Sequence, residues 1–118
     1  GPSLQTIIIK SHDRLFSLRS TLQLGIQILE RLQVLHDSGF LHMDIKPDNI
    51  LLGSENLRSL DSSVIYLIDF GITKSYRDKE GKHIPWRNGV AFSGNVLFAS
   101  KYCFNGVGKC LRNNIVRI

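Results

Sequence analysis

Asp44, Lys46 and Asn49 stand within His42-Met43-Asp44-Ile45-Lys46-Pro47-Asp48-Asn49, and twenty residues later Asp69 opens the run Asp69-Phe70-Gly71. Two carboxylates, an ammonium and an amide in that order make up most of a phosphoryl-transfer site. In that chemistry negative charge lies on the equatorial oxygens and the in-line oxygens must be aligned, so a protein mainly positions and neutralises. Few other chemistries need such a set. Each residue alone has a plainer reading: Asp44 as a turn residue, Asp48-Asn49 as a helix cap, Asp69-Phe70-Gly71 as a strand end with a turn. Coincidence accounts poorly for all of them in this order.

The other chemistry-bearing residues are less informative. His42 reads as a structural brace, and His12, His36 and His83 lack ligand spacing. Cys103 and Cys110 are seven apart with no partner pair, so neither a zinc site nor a disulfide framework is indicated and both are expected as reduced thiols. Asn105-Gly106-Val107-Gly108-Lys109 invites a phosphate-loop reading, but that motif needs glycine at 103 and Ser or Thr at 110, where both residues are Cys.

Such groups need a frame. Ser17 is placed to cap a helix over 17–39, in which Leu18, Leu22, Ile26, Leu29, Leu32 and Leu35 recur at steps of three and four until Gly39 stops it. That apolar stripe is expected to face the core. Residues 3–10, within a helical lead-in over 1–16, form a shorter segment that propensity alone leaves helical or irregular, because the β-branched run Ile7-Ile8-Ile9 disfavours helix. Ile50-Leu51-Leu52 and Val64 to Ile68 read as two strands within 50–68, flanked by polar turn residues. Antiparallel pairing would gather Asp44, Asn49 and Asp69 at one end. From Ile72 to Asn95, glycines, prolines and charges break any period, which predicts a long surface loop without regular elements.

The order H-x-D-[IL]-x-x-x-N followed by D-F-G resembles the catalytic-loop and metal-loop signature of protein kinases. Taken further, GPSL, LHMDIKPDNILLG, IDFGITKSYRD, HIPWRN and FSGNVLFAS follow in order the pattern of the casein kinase 1 family of serine/threonine kinases, across residues 1 to 110. The resemblance implies an α+β fold class: part of the protein kinase-like fold, a mainly helical C-lobe with a small antiparallel β-hairpin and a long activation segment. Within 1–118 it divides the chain into a lead-in 1–16, a long helix 17–39, a catalytic loop 40–49, a strand pair 50–68, a metal loop and activation segment 69–100, and a divergent tail 101–118. It implies transfer of the γ-phosphoryl group of ATP to Ser/Thr hydroxyls of proteins with Mg²⁺. Asp44 would orient the hydroxyl and accept its proton, and Lys46 would place a cation beside the transferring phosphate. Asn49 and Asp69 would hold the metal through oxygen, the ligand type it demands. Gly71 would lend the backbone freedom at the turn after the metal ligand. Arg87 matches the arginine of the family's H-I-P-[YF]-R and would grip an acidic or phosphorylated residue of the substrate, which its forked donors suit.

Several positions depart from that pattern. Met43 replaces the arginine of H-R-D, and Asn95 the threonine that hydrogen-bonds the catalytic Asp and Lys. Val90 and Leu97 stand where Lys and Arg are usual, which implies weak selection for a primed substrate. Cys110-Leu111-Arg112-Asn113-Asn114 replaces S-R-R-D-D, putting Asn113 in place of an anchoring aspartate. These changes motivate the alternative of a pseudokinase or scaffold without phosphotransfer.

At 118 residues, with 42% hydrophobic and 21% charged, the composition is that of one ordinary globular domain. A whole kinase domain needs more than twice that length. No Gly-rich nucleotide loop and no strand lysine with its glutamate partner are present, so the chain reads as a fragment, inactive and marginally stable by itself. The net charge of +5 is uneven: residues 1–73 hold six Lys/Arg against eight Asp/Glu and residues 74–118 nine against two, which places the basicity where a kinase meets its peptide. Nucleic-acid binding has no aromatic platform or recognised module beside that charge. With no membrane span or secretion signal in the sequence, an intracellular place is expected, cytoplasmic or nuclear.

Overall fold

The computed structural model describes residues 1–13, 15–56, 63–85, 89 and 94–99. In chain order the elements are α1 (Leu4–Lys10), α2 (Leu18–Asp37), β1 (Phe40–Leu41), a 3₁₀ turn (Pro47–Asn49), β2 (Ile50–Leu52), β3 (Ile65–Leu67), β4 (Lys74–Ser75) and a second 3₁₀ turn (Val96–Phe98). They divide between two compact units, one built from Gly1–Leu32 and Pro47–Ile68, the other from Gln33–Lys46 and Asp69–Ile118. This is the small α+β arrangement expected, a helical frame with short antiparallel strand pairs.

The first unit is organised around the β2–β3 hairpin. Its register pairs Ile50 with Leu67, Leu51 with Tyr66 and Leu52 with Ile65. Helix α1 forms in spite of its isoleucines because local caps and tertiary contacts outweigh propensity. Ser3 Oγ accepts from the Thr6 N–H at 3.1 Å, Ser3 bridges to Leu51, and the Leu52 N–H donates to the Pro2 carbonyl at 2.9 Å. Ser17 caps α2 as expected, its Oγ accepting from the Ser20 N–H at 3.1 Å. From the middle of α2, the Gln27 side chain donates to the Ser63 carbonyl at 2.8 Å and accepts from the Ile65 N–H at 3.1 Å. One amide thus stands in for a neighbouring strand at the edge of β3. Among the described residues of the unit, Leu4, Ile28, Leu32, Ile50 and Ile65 are the buried apolar side chains.

The apolar stripe of α2 does not behave as the core face expected of it. Leu32 is buried, but Leu18, Leu22, Ile26 and Leu29 are 58 to 75% exposed. Strands of three residues are too short to cover a helix of twenty. The remaining stripe is left to solvent, as expected of a short chain in which a long helix has few neighbours.

In the second unit α2 ends where Gly39 takes a left-handed φ of 88° and its N–H donates to the His36 carbonyl. β1 then pairs antiparallel with β4, Phe40 opposite Ser75 and Leu41 opposite Lys74. The stretch from Ile72 to Asn95 is therefore not without regular structure. Beyond β4, Arg77 bridges to His83 and the Ile84 N–H donates to the Tyr76 carbonyl, closing a small hairpin. Asp78 Oδ1 holds that turn by accepting from the N–H groups of Glu80 and Lys82, both at 2.9 Å. Two-residue strands leave no period to read in a sequence, which is why they escaped detection. Tyr76 is buried and its hydroxyl donates to the His36 carbonyl at 2.6 Å, pinning the hairpin to the end of α2.

Candidate active site

β1 delivers the chain into the motif. Leu41 and His42 are fully buried and Ile45 nearly so, which anchors the loop from within while Met43, Asp44 and Lys46 are carried on it. Met43 has a left-handed φ of 73°. This reverses the backbone so that the Asp44 N–H donates to His42 Nδ1 at 3.3 Å, which puts the imidazole proton on Nε2. The His42 ring also lies 5.0 Å from the Phe70 ring, tilted by 51°. His42 is the brace that its position in the motif led us to expect.

Asp44 is 9% exposed, and its Oδ2 accepts from Lys46 Nζ at 2.6 Å. In such a partly desolvated loop the pair is a stronger electrostatic feature than a surface ion pair. The spacing of two residues brings acid and cation to the same side because Ile45 turns inward between them. The same unit holds Asp69, an exposed residue with a left-handed φ of 63°, whose Oδ1 accepts from the Gly71 N–H at 3.3 Å. The freedom expected of Gly71 is thus taken by Asp69 itself. Gly71 serves by leaving room, since a Cβ there would lie 3.2 Å from Asp69 Oδ1. The Thr73 N–H donates to the Phe70 carbonyl and completes the turn.

Asn49 belongs to the other unit. It closes the Pro47–Asn49 turn, is 5% exposed, and its carbonyl accepts from the Ile68 N–H at 3.0 Å. That bond joins the entry of β2 to the exit of β3, and Asp69 is the next residue in the chain.

Of the divergent positions, Asn95 uses its side chain locally. Its Oδ1 accepts from the Leu97 N–H at 2.9 Å and caps the Val96–Phe98 turn. Leu97 is 84% exposed, so an apolar side chain stands in solvent where the resembling family has arginine. Arg87, Val90, Asn113 and both cysteines lie outside the described residues. Lys82 pairs with Glu80 at 3.2 Å on the surface, and Arg77 stacks over the Tyr76 ring at 5.4 Å, so two of the basic side chains between the metal loop and Gly94 have local partners.

Burial lowers the pKa of His36 below its ordinary 6.5, against an opposing pull from Asp37. Among the described residues no three or more His, Cys, Asp or Glu side chains gather as a metal site. A hard cation such as magnesium takes one or two carboxylates together with substrate phosphates, and the exposed Asp69 carboxylate is an oxygen donor of that kind. Among the described residues no helix is long and apolar enough to cross a membrane. A family model described as protein kinase domain matches residues 2–93.

Proposed function

This chain belongs to the protein kinase family, and on that footing we propose that it carries the catalytic loop, metal loop and activation segment of a serine/threonine kinase of casein kinase 1 type. The observation that carries the reading is backbone strain. Among the described residues only Met43 and Asp69 hold a left-handed φ without being glycine, and both lie in the motifs. A bulky Met pays about 1–2 kcal/mol for that conformation, a cost that folded proteins tend to concentrate where geometry serves function.

In the proposed reaction Asp44 orients a Ser or Thr hydroxyl of a protein and takes its proton. The hydroxyl oxygen bonds to the γ-phosphorus of ATP while the bond from that phosphorus to the bridging oxygen breaks and ADP departs. Lys46, held at 2.6 Å from Asp44, supplies positive charge for the equatorial oxygens. Asn49 and Asp69 would each supply an oxygen ligand to Mg²⁺, which would neutralise the phosphates when bound. Arg87 serves an acidic or primed side chain of the substrate, and the apolar Val90 and Leu97 leave that preference weak. The use of Asn95 as a local cap of the Val96–Phe98 turn favours one other reading, a pseudokinase or scaffold without phosphotransfer.

Paramagnetic Mn²⁺ in place of Mg²⁺ tests the assignment without requiring turnover. Adding Mn²⁺ and ATP to the isotopically labelled chain is expected to broaden the NMR signals of Asn49 and Asp69 first, with excess Mg²⁺ restoring them. Broadening centred elsewhere, or none, refutes the assignment of these residues. A preserved metal effect, with no transfer even in a protein that includes a nucleotide loop, would favour the pseudokinase.

A further inference from the structure

The peptide plane between Met43 and Asp44 is held at both ends. At one end the Asp44 N–H donates to His42 Nδ1 at 3.3 Å. At the other end Gly94 comes close enough to the Met43 carbonyl that a Cβ added to the glycine would lie only 2.6 Å from that oxygen. Gly94 also has a φ of 122°, a conformation closed to most side chains. The atom in the way is backbone, not the tip of a flexible side chain, so a side chain at 94 can be accommodated only by moving the peptide.

We infer that Gly94 is a positioning residue for Asp44: by approaching without a side chain it leaves the Met43 carbonyl the room to stand where Met43 is left-handed. Because the peptide is planar and stiff, fixing its oxygen and its N–H fixes the direction in which Asp44 leaves the plane. A side chain at 94 would displace that oxygen and drive Met43, at φ 73°, to relax toward a right-handed or extended conformation. The relaxation would carry Asp44 and its bond to Lys46 with it, and a misplacement of about 1 Å at a reacting group can lower a rate by about 10²-fold. The segment that begins at Gly94 would thereby be coupled to the proton acceptor through the main chain alone. The catalytic meaning of this coupling rests on the phosphotransfer reading; the coupling itself does not.

The test compares Gly94→Ala with Gly81→Ala in the labelled chain. Gly81 has a φ of 80° with nothing within 4 Å of an added Cβ, so its substitution imposes the backbone strain without the collision. Gly94→Ala is expected to abolish the left-handed coupling signature of Met43 and to displace the Asp44 carboxyl and Lys46 ammonium signals, whereas Gly81→Ala leaves all three in place. Unchanged signals in Gly94→Ala, or equal displacement in both variants, would overturn the inference. If Gly94→Ala does not fold, Met43→Gly decides. It keeps the carbonyl beside Gly94 and is expected to preserve the Asp44 and Lys46 signals, and their displacement would show that the Met43 side chain does the holding. Wild-type chain that shows no Mn²⁺·ATP broadening at Asp69 would count against the phosphotransfer reading, while the Met43 and Asp44 signals would still judge the clamp.

Discussion

Replacing Gln27 by Met should detach α2 from the hairpin that carries Asn49. The two side chains are close in length and in rotamer freedom, so conformational entropy and volume nearly cancel and the difference lies in hydrogen bonding. The substitution removes the acceptor of the Ile65 N–H and the donor to the Ser63 carbonyl. Ser63 is exposed, and water can take over its carbonyl at little cost. Ile65 is 0% exposed, and stranding its N–H costs about 1–3 kcal/mol. Gln27→Glu keeps an acceptor for Ile65 and loses only the donor to the exposed carbonyl, so it should cost less than about 1 kcal/mol. Urea unfolding followed by circular dichroism at pH 7 measures both differences. For a chain of this size a loss of 1–3 kcal/mol is a large part of the roughly 5–15 kcal/mol typical of a native domain. Equal losses in the Met and Glu variants, or none in Met, would refute the argument that the Ile65 acceptor is what holds the tether.

Ser17→Ala, by removing the cap at the start of α2, should destabilise by about 0.5–2 kcal/mol, while Ser17→Asp should be nearly neutral in the same urea assay. The lowered pKa of His36 means that between the folded value and 6.5 the unfolded chain holds the proton more readily than the folded one. Stability is then complete above about pH 6.5 and declines as the pH falls through the lowered folded value; His36→Gln should flatten that decline in melts taken from pH 7.5 to 5. On the proposed assignment, Asp69→Ala should remove the Mn²⁺·ATP broadening at Asn49, whereas Asp44→Asn should leave it, since the first would take away a metal ligand and the second a proton acceptor. The 118-residue chain by itself, without a Gly-rich nucleotide loop, should transfer no measurable radiolabelled phosphate to an acidic Ser/Thr peptide, and turnover in that assay would contradict the proposed need for further nucleotide contacts.

The motif residues were legible because their chemistry requires particular side chains at close spacing. Asp44 and Lys46 lie two apart, and one intervening inward residue is enough to bring them together. α2 was legible for a similar reason: twenty residues with period 3.6 and a serine cap leave little choice of element, and it runs Leu18–Asp37. Which part of its apolar stripe would be buried was not legible, because burial depends on what packs against a helix. Periodicity describes the helix alone. The outcome favoured Ile28 and Leu32 over Leu18, Leu22, Ile26 and Leu29.

What the amino-acid order determined by itself is the chemical inventory of the site and the local elements that carry it, since these arise from interactions between residues a few positions apart. Only the tertiary structure decided that Gln27 would complete the edge of β3, that Tyr76 would pin a hairpin to the end of α2, and that Gly94 would come so near the Met43 carbonyl that no side chain fits between them. Those contacts join residues roughly forty to fifty positions apart in the sequence. Loop closure across such distances is offset only by the whole set of buried contacts acting together, and no short window of sequence holds that sum.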